Sequence, residues 1–260
     1  MANAALLIDN QAQGGSVTAS SQAIEMPASM LLTPHPSERW RSGASDAFVV
    51  LDKGSAQSSS VAALFGLTLG LNATVRLRLS SIDSTGAAGD VVDTGPIANG
   101  ATQFDVDYRA FIYVLDEPST WRYTRFDISD PDADYVEAGA IVDGLRFDFD
   151  YNFAPGSAVQ IVDRSRLSGT SSGLTLVWDD NHFRRADINL DWVTESQRYG
   201  VIQRMDRMNG RHRNTLLMLD TASDNLPRDS IFGLVAETTP VAFTTMHGIF
   251  TKQFRIDERI

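Results

Sequence analysis

Four sets of polar residues are of types from which chemistry is built. Gly169-Thr170-Ser171-Ser172-Gly173 fits the G-x-S-x-G pattern, in which a serine nucleophile sits on a sharp turn between a strand and a helix. The next residues, Leu174 to Trp178, have a strand pattern, so Ser171 is expected to be a linker residue. Asp130, Asp132 and Asp134 have the spacing that opens a calcium loop, but Tyr135 stands where that loop needs Gly and Ile141 where it needs Glu. A solvated acidic turn is the expectation. His35, His182, His212 and His247 lie far apart without a ligating neighbour at i+2 or i+4. Asp179, Asp180, His182, Arg184 and Arg185 read as a mixed-charge turn, for which surface pairing is sufficient reason. No catalytic pair, cofactor site or metal set is expected, and the chain is read as not an enzyme.

Composition narrows the partners. A net charge of −11 and a sequence pI near 4.7 argue against nucleic acid, because phosphate binding needs a basic surface. No apolar run approaches the roughly 20 residues of a membrane-spanning helix, and Ala4 to Ile8 lacks the basic start of a signal peptide, so neither membrane insertion nor export is expected. With no cysteine, disulfides and thiolate sites are excluded. The 22 basic residues are almost all Arg, Lys53 and Lys252 being the exceptions. Arginine makes planar, multi-donor contacts at interfaces, and a GC-rich genome would produce the same bias.

The elements that carry these residues read as short strands. Trp121 to Ser129 alternates with period two and places Phe126 and Ile128 on a core face; Asp130-Pro131 must end it, since proline lacks the donor a ladder needs. Tyr135 to Phe149 forms a second run, in which Gly139 and Gly144 predict bulges or the close approach of another backbone. Upstream, Ala47 to Asp52 and Val61 to Leu71 read as two strands separated by a Ser-rich turn, and Val75 to Ser80 as a half-exposed strand. Gly86 to Gly100 is a flexible excursion, and Trp40 follows Pro34 and Pro36 as the anchor of a buried loop. Many short strands without helical periodicity indicate an all-β sandwich or jelly roll.

Residues 15–52 resemble the start of galactose-binding-like (discoidin) jelly rolls, through Ala19-Ser20-Ser21, a loop ending at Trp40, and the strand Val49-Val50-Leu51-Asp52. Lys53 departs from the apolar residue usual there. Trp121 to Ile128 and Val136 to Gly144 resemble later strands of the same group. A jelly roll followed by a small Arg-rich domain is similar in layout to tail-tip and distal-tail proteins of long-tailed bacteriophages and their gene-transfer-agent relatives. The resemblance implies a structural subunit in the virion tail, assembled in the host bacterial cytoplasm, with copies of itself and neighbouring tail proteins as partners. The alternative is a carbohydrate-binding module for host-surface adsorption, with Trp40 and Trp121 stacking on sugar rings.

The expected division is a jelly roll over 1–163, a linker over 164–173 and a β-rich ring-forming domain over 174–260. Arg184 to Trp192 alternates Ala186, Ile188, Leu190 and Trp192 against polar residues. Thr194 with Gln197 has capping-box spacing, and Tyr199, Ile202, Met205 and Met208 form the apolar stripe of a helix over about 194–209 that Gly210 ends. Arg184, Arg185, Arg204, Arg207, Arg211 and Arg213 are the candidate oligomer contact, meeting carboxylates on the next copy.

Overall fold

The structure, a computed structural model, describes residues 3–98, 109–169, 171 and 173–260. Asn99 and Gly100 of the Gly-rich excursion, and Thr170 and Ser172 of the G-x-S-x-G segment, therefore lie outside the described residues. The chain is mainly β and forms two compact units, residues 1–148 with 215–230 and Ile260, and residues 149–214 with 231–259. These bounds differ from the division that composition suggested. Residues 149–173 go with the second unit because strand pairing holds them there, and 215–230 return to the first.

Unit 1 contains, in chain order, β1 (Ala5–Leu7), β2 (Ser16–Ala19), β3 (Trp40–Arg41), β4 (Asp46–Phe65), β5 (Thr74–Ser80), β6 (Val92–Asp93), β7 (Ile97–Ala98), β8 (Ala110–Ser129), β9 (Glu137–Ala138), β10 (Ala140–Gly144) and β11 (Phe147–Asp148). Its main antiparallel sheet runs β10-β4-β8-β5-β6, with β2 on the first half of β4 and β7 on β5. The two separate strands expected within 47–71 are one, because the Ser-rich segment is absorbed by register shifts between Asp52 and Gln57 and between Ser59 and Val61. β8 is likewise continuous through Trp121, and it stops at Ser129, just before Asp130-Pro131. The alternation in β5 is as read, with Val75, Leu77 and Leu79 buried. They pack with Val49, Leu51, Phe126 and Ile128, and with Leu31, Trp40, Val136 and Ala138 from the covering segments, in the core of a β-sandwich.

Close backbone approach explains both glycines of the second run. A Cβ on Gly139 would lie 1.8 Å from the Pro36 carbonyl oxygen, and one on Gly144 2.5 Å from that of Asp9.

Unit 2 begins with β12 (Ala158–Asp163), β13 (Arg166–Gly169), β14 (Thr175–Trp178) and β15 (His182–Thr194). The segment expected as a linker is thus half of a hairpin, since β13 pairs with β14 from Arg166 opposite Trp178 to Gly169 opposite Thr175. A helix occupies residues 195–209, capped by the Thr194 hydroxyl, which accepts from the Gln197 N–H, and closed by Gly210 at φ 49°. Much of it makes i→i+5 bonds, which widen the turn and shift the buried stripe to Val201, Ile202, Met205 and Asn209. Tyr199, expected in that stripe, is therefore exposed. β16 (Asn214–Met218) follows, and its residues 216–218, which belong to unit 1, pair there with β1. β17 (Ser230–Thr238), β18 (Ala242–Phe243) and β19 (Ile249–Glu258) complete the chain, and the ladder of unit 2 runs β17-β19-β15-β12 with β18 on β19. A bulge between Leu190 and Val193 breaks the alternation of β15. Val193 takes the buried position, and Trp192 turns outward beside Tyr151, with ring centroids 6.2 Å apart.

Candidate binding surface

The loop after β8 fixes the geometry of the best candidate on unit 1. Asp130 is buried, and its carboxylate accepts from the Gly70 N–H at 2.7 Å and the Asp132 N–H at 3.1 Å. Asp132 in turn accepts from the Asn72 amide at 2.8 Å. The first two carboxylates of the acidic turn thus tie two loops together, so the turn is not simply solvated. Among the described residues no three His, Asp or Glu side chains are grouped to hold a metal.

Tyr135, at the end of this loop, is 40% exposed and carries the Arg41 guanidinium 4.2 Å from its ring centroid. Strand pairing brings Arg41 on β3 opposite Glu137 on β9. The Glu137 carboxylate is nearly buried and accepts from Arg41 Nε at 2.7 Å, Thr68 Oγ1 at 3.3 Å and Arg39 at 3.4 Å. Its hydrogen bond holds Arg41 above the ordinary guanidinium value. Arg39 Nε is buried and has no acceptor. A partly exposed aromatic ring beside two guanidiniums held by Glu137 forms a surface suited to an oxygen-rich ligand with an apolar face.

The tryptophans singled out for sugar stacking cannot serve. Trp40 and Trp121 each have 0% exposure, which overturns that expectation, because a stacking ring must present a face. Trp40 donates its indole N–H to the Ser21 carbonyl at 3.0 Å. Trp121 donates to Asp143 Oδ2 at 2.9 Å, and Lys53 Nζ lies 4.3 Å from its ring centroid. Their large apolar area is used as core, with the polar edge satisfied. Sequence reasoning missed Arg39, Arg41 and Glu137, because the pairing of β3 with β9 joins residues about a hundred positions apart.

On unit 2 the six arginines fall into two groups. Arg184 pairs with Glu258, and Arg185 makes two bonds to Asp257 at 2.6 and 2.7 Å. These two act within the unit, which corrects their assignment as a contact surface. Arg204, Arg207, Arg211 and Arg213 are exposed, and Arg204 Nε lies 3.2 Å from Met208 Sδ. Ser171 sits in the exposed turn between β13 and β14, and a strand, not a helix, comes after it.

No family model matches the sequence, and no curated protein matches it. Solved structures do. The chain is similar to chitosan-binding module 1 of a chitosanase/glucanase from Paenibacillus sp. IK-5, at 17% identity over 52% of this chain and 98% of the module, TM-score 0.40. It is similar to a Clostridium perfringens CBM32 module solved with GalNAc-β-1,3-galactose, at 11% identity over 52% of this chain and 99% of that one, TM-score 0.41. A Ruminococcus gnavus GH29 fucosidase solved with fucose aligns at 15% identity over 55% of this chain, TM-score 0.43, and the match spans 27% of that enzyme.

Proposed function

We propose that the chain is a non-catalytic attachment protein whose unit 1 binds carbohydrate through Tyr135, Arg41 and Arg39. The observation that carries this reading is the half-exposed Tyr135 ring set beside two arginines that Glu137 holds. A pyranose has an apolar C–H face for the ring and hydroxyl oxygens for the guanidinium donors. The reading is tested with a glycan array followed by titration calorimetry. Tyr135→Ala is expected to lower affinity at least tenfold while leaving the circular dichroism spectrum unchanged. Absence of any retained glycan, or equal affinity in the variant, would overturn it.

A second reading makes the chain a structural subunit of a phage-like tail tip, with its place in the virion tail and other tail proteins as neighbours. The exposed Arg204, Arg207, Arg211 and Arg213 favour it, since guanidiniums can bridge to carboxylates of an adjoining subunit. Arg204→Glu with Arg207→Glu is expected to abolish association without unfolding the chain.

A further inference from the structure

Beyond β12 and β15 the ladder continues as an arm. β13 and β14 form a two-stranded sheet of their own among the described residues. The joint is braced where the Ser165 N–H donates to Asp163 at 2.7 Å and the Asp180 N–H donates to Ser165 Oγ at 3.2 Å. Past that joint Leu167 is 73% exposed, Val177 62%, Trp178 53% and Leu176 41%. Register sets Leu167 opposite Val177 on one face and puts Leu176 and Trp178 on the other. A two-stranded hairpin is marginal in water unless a further strand or a packed face supports it. So many large apolar side chains on one exposed element mark a surface that is covered in use.

The same unit carries a feature of matching kind. Among the described residues β12 pairs with β15 alone, so its other edge presents unpaired backbone donors and acceptors. Val159 and Ile161 stand exposed along it, and no lysine, proline or bulge blocks the edge.

We propose that the β13–β14 arm docks on the β12 edge of a second copy of this chain. Charge favours that occupant. Unit 2 holds 12 Lys and Arg against 11 Asp and Glu, a net +1 in a chain of net −11. Copies can meet through unit 2 without the repulsion of the acidic remainder. The arm also has free strand edges, so arm and β12 can extend one another's ladder and bury Leu167, Val177, Val159 and Ile161 together. Because arm and edge are different surfaces, the contact is head-to-tail and each copy keeps one of each for the next. Sugar binding by unit 1 is not required.

Sedimentation of the full chain is expected to give a mass above 28.4 kDa that rises with concentration. Leu167→Asp with Val177→Asp is expected to leave a monomer of unchanged circular dichroism. Since the chain has no cysteine, Leu167→Cys and Ile161→Cys chains mixed under oxidation should form a crossed disulfide. A control with Ile24→Cys, at an exposed position of unit 1, should not cross-link to Leu167→Cys. A monomeric parent, undiminished association of the double variant, or crossed disulfides no faster than the control would each overturn the proposal.

Discussion

Lys53 Nζ lies 2.9 Å from Asp143 Oδ1, and neither side chain exposes any surface. The ammonium also donates to Ser59 Oγ at 2.8 Å and Gln11 Oε1 at 3.3 Å, while Asp143 Oδ2 accepts from Trp121 and Thr124. Burial lowers the Lys53 pKa below its ordinary value, and Asp143 pulls it back up. Three acceptors thus surround the Lys53 nitrogen inside unit 1.

Removing one member should be severe. Lys53→Met leaves Asp143 buried without its counter-charge and is expected to cost about 3–5 kcal/mol. Lys53→Met with Asp143→Asn should cost less than the two single changes added together, by about 0.5–3 kcal/mol. Urea unfolding of the four proteins measures this, and simple additivity would show that the pair is not coupled.

At the surface of unit 1, Arg76 Nε donates to Asp93 Oδ1 at 2.8 Å, and this bond lowers the Asp93 pKa from 3.8 to about 2. A depressed carboxyl contributes stability that is complete above its unfolded value and disappears as pH falls through its folded one. The contribution should fade between about pH 4 and pH 2. Both side chains are about a third exposed, so solvent screening keeps it below about 1 kcal/mol. Asp93→Asn should flatten the acid limb of a thermal-stability profile by that amount, and an unchanged limb would count against the assignment.

In unit 2 Leu190 is 3% exposed on β15, whereas the neighbouring Asn189 side chain points to the other, partly exposed face. Leu190→Ala should destabilise by roughly 2–5 kcal/mol, and Asn189→Ala should stay within about 0.5 kcal/mol. Equal unfolding midpoints would contradict the register of β15 with β19.

Local rules made parts of this chain legible. The alternation of Val75, Leu77 and Leu79, the stop at Asp130-Pro131, the Thr194 cap and the close approach at Gly139 each depend on a few neighbouring residues. The rest depended on distant partners. Nothing near the Ser-rich segment says that β8 will carry β4 through it, and nothing near Trp192 announces the bulge that turns it outward. Trp40 was legible as the anchor of a buried loop after Pro34 and Pro36, whereas nothing near Trp121 says that its ring would lie in the core. The candidate surface was hidden for the same reason, since Tyr135 and Glu137 meet Arg41 only through the pairing of two-residue strands.

The scarcity of lysine has a practical consequence. Lys252 in unit 2 is as enclosed as Lys53 in unit 1, with its ammonium 2.8 Å from Asp206 Oδ2 and 2.6 Å from the Thr239 carbonyl oxygen. Each unit thus holds a single ε-amine, and both are shielded while the units are closed. Amine-directed acylation followed by peptide mass spectrometry would then act as a clock for local opening, with one reporter per unit and no surface lysines to contribute background.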